Sequence, residues 1–133
     1  MKRGYKEMVD EAYAEVTTLS TTDAIKLAND PNVVFVDVRD IRELERDGLV
    51  PESFHAPRGM LEFWIDPDSP YHKSVFAEKK QFVFYCAAGW RSALSTKLAQ
   101  DMGLENVAHI DGGFGAWKHA GGPVIEKSSK RKA

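Results

Sequence analysis

A chain of 133 residues with 43% hydrophobic, 11% aromatic and 29% charged residues has the size of one domain and enough apolar side chain for a packed core, which excludes two full domains and global disorder. A formal charge of -2 leaves no general basic surface for nucleic acid or anionic membrane, so neither is expected as a partner. The single cysteine cannot form an intrachain disulfide, and the opening MKRGYKEMVDEAYAEV lacks an apolar run for a signal peptide or membrane span; the expectation is a soluble cytoplasmic protein with a reduced thiol.

Tyr5, Met8, Val9, Ala12, Tyr13 and Val16 recur with helical period, which predicts an amphipathic helix over residues 1–15 as an extension to the body at 16–124. Ser20 and Asp23 form an N-cap pattern before a short helix ending near Asn29 and Asp30. Val33 to Val36 is a continuous β-branched and aromatic run, suited to a strand buried on both faces. A charged helix over 40–47 stops at Gly48, and Ser53 to Ala56 reads as a short strand. Residues 58–80 are irregular, with an apolar cluster at 60–65 and turn chemistry at 66–70. Phe82 to Tyr85 is a second buried strand, followed by a small-residue loop, a helix over 92–102 ended by Gly103, and a third strand over 107–110. A last helix follows Gly112 and Gly113 and runs through Trp117. Residues 125–133, with four basic residues from Lys127 onward, are expected as a solvated tail. Strands alternating with helices in so short a chain predict an α/β fold, a parallel sheet covered on both faces.

Cys86 is the informative position. It directly follows a buried strand and precedes Ala87, Ala88, Gly89, Trp90, Arg91 and Ser92, a loop delivering the chain into a helix. In open α/β sheets ligands bind beyond the carboxyl ends of the strands, where successive loop amides and a helix N-terminus form an anion-binding concavity. A thiol at its floor is favoured as thiolate, the nucleophilic form, by the helix dipole and by Arg91. Small residues at 87–89 let the backbone curl around a bound anion.

These residues resemble the single-domain rhodaneses, whose loop is a cysteine, four residues and an arginine, usually followed by Ser or Thr. The resemblance extends to Asp37-Val38-Arg39, Glu43, Gly48 to Pro51, Asp111 to Phe114 and Trp117, and covers roughly residues 16–124. It implies a five-stranded parallel sheet with helices on both faces, and a sulfurtransferase without cofactor or metal. In that activity Cys86 takes a sulfane sulfur from thiosulfate or a related donor and passes it, as a persulfide, to an external thiophilic acceptor such as cyanide, a thiol or a thiol protein. Where the family often carries arginine this chain has Ala87, so Arg58 and Trp90 are candidates for replacement contacts.

Asp37 is expected to support the loop by accepting hydrogen bonds from its backbone or from Arg91, and Arg39 to pair with Glu43 at helix spacing. Four histidines, His55, His72, His109 and His119, have no ligand spacing, so no metal site is expected. Phe63, Trp64 and Tyr71 are read as packing residues rather than a wall of the site. The competing functions are a cysteine-based phosphatase or arsenate reductase, whose loop has five residues between Cys and Arg, and a sulfur-carrier, redox-sensing or binding module without turnover.

Overall fold

The computed structural model describes residues 1–127. Five strands, β1 (Thr17–Leu19), β2 (Val33–Asp37), β3 (Phe54–His55), β4 (Gln81–Tyr85) and β5 (Val107–Ile110), form one parallel sheet in the order β1-β5-β4-β2-β3. The helices are α1 (Tyr5–Glu15), α2 (Thr21–Lys26), α3 (Ile41–Asp47), α4 (Leu61–Ile65), α5 (Trp90–Met102) and α6 (Gly113–His119). This is the expected five-stranded α/β arrangement with an N-terminal helix.

The central pair explains the unbroken apolar runs. β2 and β4 run in register from Val33 opposite Gln81 to Asp37 opposite Tyr85. Because side chains alternate along a strand, Phe82 and Phe84 pack into one layer with Leu61, Ile65 and Ala99, whereas Val83 and Tyr85 pack into the other with Phe35, Phe114 and Trp117. Each fully buried Val or Phe contributes roughly 1.5–3 kcal/mol, so both layers pin the strand ends from which the site loops leave.

Local chemistry sets the helix starts. The Ser20 hydroxyl accepts the Asp23 amide at 3.1 Å to cap α2. Asp40 and Glu43 form a reciprocal capping box at the start of α3. α1 buries Val9 and Ala12 and packs on α5, where Gln100 Nε2 donates to the Glu15 carbonyl at 3.0 Å and Lys97 lies 3.6 Å from the Glu15 carboxylate. Among the described residues no helix is long and apolar enough to cross a membrane.

Several boundaries differ from expectation. α5 starts at Trp90, two residues early, because Gly89 caps it at φ +117°, turning the loop straight into the helix. α2 stops at Lys26, and the chain leaves through a turn in which Asn29 has φ +72°. The irregular stretch 58–80 holds α4 between two short 3-10 turns, Arg58–Met60 and Ser74–Ala77. Ile125, expected in the solvated tail, is instead tied to Leu49 by a pair of antiparallel backbone hydrogen bonds of 2.9 and 3.0 Å. Residues 128–133 of that tail lie outside the described residues.

Candidate functional site

At the carboxyl end of β4 the chain curls back on Cys86. The Gly89 amide donates to Cys86 Sγ at 3.1 Å and the Ser92 amide at 3.3 Å, so the loop closes around the sulfur. The first turn of α6 holds the loop, the Phe114 amide donating to the Cys86 carbonyl at 2.7 Å and the Gly115 amide to the Ala87 carbonyl at 3.0 Å. Gly113 allows this approach: at φ +63°, a Cβ there would stand 2.5 Å from the Cys86 carbonyl oxygen. Cys86 is only 1% exposed, whereas Ala88 and Trp90 reach solvent. The sulfur sits at the floor of this loop, almost wholly covered, with two backbone amides directed at it.

Arg91 does not point freely into this cradle. Its guanidinium makes a two-pronged pair with Glu43 of α3, at 2.8 and 3.0 Å. The hydrogen bonds from Arg91 hold the Glu43 carboxyl below its usual range, against the opposing effect of burial.

The expected roles of Asp37 and Arg39 are corrected. Asp37 takes neither the loop amides nor Arg91; it accepts from Arg39 Nε at 2.9 Å, Arg39 Nη2 at 2.7 Å and the Arg39 amide at 3.0 Å. Arg39 pairs with Asp37 rather than with Glu43 because its side chain turns into the protein, where Nη2 also reaches the Gly48 carbonyl at 2.8 Å and the guanidinium lies 4.4 Å from the Phe114 ring centre. Both side chains are buried, so removing one partner would strand a charge at a cost of about 3–5 kcal/mol. The pair braces the end of β2, where the Val38 amide donates to the Tyr85 carbonyl at 3.0 Å, one residue before Cys86.

On the other side, Ser92 connects the loop to β5 and β1. Its hydroxyl donates to the Gly89 carbonyl at 3.2 Å and stands 3.1 Å from His109 Nδ1, while His109 Nε2 is 3.0 Å from Thr18 Oγ1. Since the serine proton is spent on the carbonyl, His109 donates from Nδ1; with the ring neutral, Nε2 is left to accept from Thr18. Burial lowers its pKa from 6.5 to about 4, in keeping with that state. The Tyr13 ring of α1 meets His109 edge-on at 4.9 Å, and its hydroxyl lies 2.6 Å from where a Gly89 Cβ would stand. Burial, then Asp111, then Cys86 raise the Tyr13 pKa.

The structure therefore brings Cys86, Ala87, Ala88, Gly89, Trp90, Arg91 and Ser92 together as one loop. Arg58 is not among their contacts: it is exposed in the groove between α1, α4 and α5, beside Arg3, Glu62 and Lys97. Phe63 and Tyr71 are solvent-exposed, and Trp64 packs on Phe54. Sequence reasoning gave no site role to His109, Tyr13 or Tyr5 and assigned Glu43 to the wrong arginine. The available signal for His109 was a polar residue inside the otherwise apolar strand Val107-Ala108-His109-Ile110.

Comparison with known proteins agrees with this geometry. A solved structure from Rhodopseudomonas palustris, a protein of unknown function described as a possible tyrosine phosphatase, is 61% identical with a TM-score of 0.92, covering 94% of this chain and 96% of its own. The thiosulfate:glutathione sulfurtransferase of Saccharomyces cerevisiae is 33% identical over 104 residues, 74% of this chain and 73% of the yeast protein. The dual specificity phosphatase Cdc25 of Arabidopsis thaliana is 27% identical over 118 residues, 82% of this chain and 77% of the plant protein. With the sequence model of the Rhodanese-like domain matching residues 20–120, the sheet order, the Cys86 loop and these relatives place the chain in the rhodanese-like domain family.

Proposed function

We propose that this chain is a sulfurtransferase that carries sulfane sulfur on Cys86. The observation that supports it is the cradle itself: one sulfur, 1% exposed, receiving the Gly89 and Ser92 amides at the bottom of a four-residue loop. Cys86 thiolate attacks the outer sulfur of thiosulfate or a related donor; the new bond joins Sγ to that sulfur, the donor's S–S bond breaks, and sulfite leaves with the bonding pair. Loop amides and the helix start stabilise the negative charge carried on the persulfide. As the only cysteine, Cys86 has no internal thiol to resolve it, so an external thiophilic acceptor, cyanide or a thiol, takes the sulfur. No cofactor enters these steps.

Mass spectrometry of the purified protein after thiosulfate treatment tests the reading. The wild type is expected to gain one sulfur on Cys86 and to lose it on adding cyanide. The Cys86→Ser variant, whose hydroxyl is not ionised near neutral pH, is expected to gain none.

A cysteine-phosphatase activity is the second reading, favoured by the likeness to the Arabidopsis phosphatase. The loop argues against it. Four residues separate Cys86 from Arg91, one amide fewer than a phosphatase ring, and a phosphoryl group carries three equatorial oxygens needing donors. Hydrolysis of an aryl phosphate by the wild type, without persulfide on Cys86 under thiosulfate, would reverse the choice. A persulfide that forms but is never passed on would instead mark a carrier without turnover.

A further inference from the structure

With Cys86 buried, only the terminal sulfur of a donor enters the cradle, and the remainder of the donor stays at the rim. The composition of the rim therefore sets which donors are used. Two features of this rim stand out. First, the positive charge carried by the loop itself is already matched. The loop's own arginine, Arg91, is paired with Glu43, the buried Arg39 beside Tyr85 is paired with Asp37, and position 87 is alanine. The amides can still stabilise one negative charge on the sulfur, but no side-chain cation remains among these pairs for a second charge further out.

Second, the rim has an aromatic wall. Trp90, in the loop, is 56% exposed, and Tyr5, from the first turn of α1, is 62% exposed, yet their ring centres lie 5.1 Å apart at an interplanar angle of 41°. Such a pair leaves a large apolar face in water at the loop. Tyr5 comes from a segment outside the 20–120 span of the family match. Its helix is fixed against the site by Val9 and Ala12 on α5 and by Tyr13 against Gly89 and His109.

Resting on the sulfurtransferase reading, we infer that the preferred donor class is a monoanionic organic thiosulfonate, whose apolar group lies on the Tyr5–Trp90 wall while its terminal sulfur enters the cradle. The dianion thiosulfate brings a second charge and no apolar group. In the step with the organic donor, Cys86 thiolate attacks the terminal sulfur and the bond from that sulfur to the sulfonyl sulfur breaks. The organic sulfinate leaves with the electron pair, so two single negative charges enter and two leave, one on the persulfide and one on the sulfinate.

The experiment uses the full chain with three donors, benzenethiosulfonate, methanethiosulfonate and thiosulfate. Each rate of persulfide formation on Cys86, followed by mass spectrometry, is divided by the rate of the same donor with a small free thiol, which removes intrinsic reactivity. The wild type is expected to favour benzenethiosulfonate over methanethiosulfonate by about tenfold, the effect of one good aromatic contact with its buried area. Thiosulfate is expected to be slower than methanethiosulfonate. In Tyr5→Ala/Trp90→Ala the aryl-to-methyl ratio is expected to fall to near one, whereas Tyr5→Phe keeps it. A ratio near one in the wild type, a ratio unmoved in the double variant, or thiosulfate as fast as methanethiosulfonate would each overturn the inference while leaving sulfur transfer in place. Failure of every donor to put sulfur on Cys86 would instead sink the sulfurtransferase reading, and this inference with it.

Discussion

Arg91 and Glu43 meet through two parallel hydrogen bonds, Nη1 to Oε2 at 2.8 Å and Nη2 to Oε1 at 3.0 Å, and this pair ties the end of the Cys86 loop to α3. The arginine thus acts on the cradle as half of a neutral unit. Its positive charge and its hold on the backbone are both set by a residue that the capping box of α3 positions.

Removing the arginine alone leaves the Glu43 carboxylate facing the loop, where it opposes negative charge on sulfur. Arg91→Ala is therefore expected to slow alkylation of Cys86 by iodoacetamide at pH 7, and persulfide formation with it, by about tenfold to a hundredfold, the size of a lost charge-assisted interaction. Glu43→Gln/Arg91→Ala removes the unpaired carboxylate and should recover part of that rate. A double variant no faster than Arg91→Ala would show that Glu43 charge has no part in the defect. Circular dichroism of both variants separates loop effects from unfolding.

His109 makes stability depend on acid. Its folded-state pKa, lowered to about 4 by burial, lies below the value near 6.5 of an unfolded chain, so between these values the unfolded state binds the extra proton. Stability from the neutral ring is fully present above about pH 6.5, and falls as the pH drops toward 4. The whole effect is about 3 kcal/mol. Denaturant titrations from pH 7 to pH 4 are expected to show this loss in the wild type and a shallower slope in His109→Gln. Equal slopes would mean that other groups carry the acid dependence.

Gly113 and Gly121 separate backbone strain from loop displacement. Both have positive φ, +63° and +84°, so alanine strains either one by roughly 1 kcal/mol. At Gly121 the added Cβ meets nothing within 4 Å, but at Gly113 it would stand 2.5 Å from the Cys86 carbonyl oxygen and 2.8 Å from backbone atoms of Ala87. Gly113→Ala is expected to cut persulfide formation at least tenfold, because the backbone bearing the thiolate has to move, and Gly121→Ala to leave it within about twofold. Activity retained in Gly113→Ala would mean that the turn can withdraw without shifting the loop.

The elements most legible in the sequence were those in which local pattern and burial agree. Val33 to Val36 and Phe82 to Tyr85 read as doubly buried strands because both faces of the central strands need apolar side chains, and they are adjacent in the sheet. The nucleophile loop was legible for a related reason: all seven of its residues, Cys86 to Ser92, are consecutive, so spacing along the chain is spacing in the site.

Partner choice was not legible. Arg39 has Glu43 four residues away and Asp37 two residues away, and helix spacing favours the first. The side chain takes the second because residue 39 precedes α3 and turns inward over Phe114, where only a buried carboxylate can match it. Arg91 then takes Glu43 across 48 residues of sequence. Likewise, nothing local joins Thr18, Ser92 and His109, which meet because β1 and β5 are neighbours in the sheet. Tyr5 and Tyr13 show helical period and nothing more until α1 lies against α5. By itself the sequence determined the strand–helix alternation, the cysteine and its cradle, since short-range sterics and burial encode those. Only the tertiary structure decided which charges cancel, how the histidine is protonated and what forms the rim, because each depends on groups far apart in the chain that packing alone brings within a few ångströms.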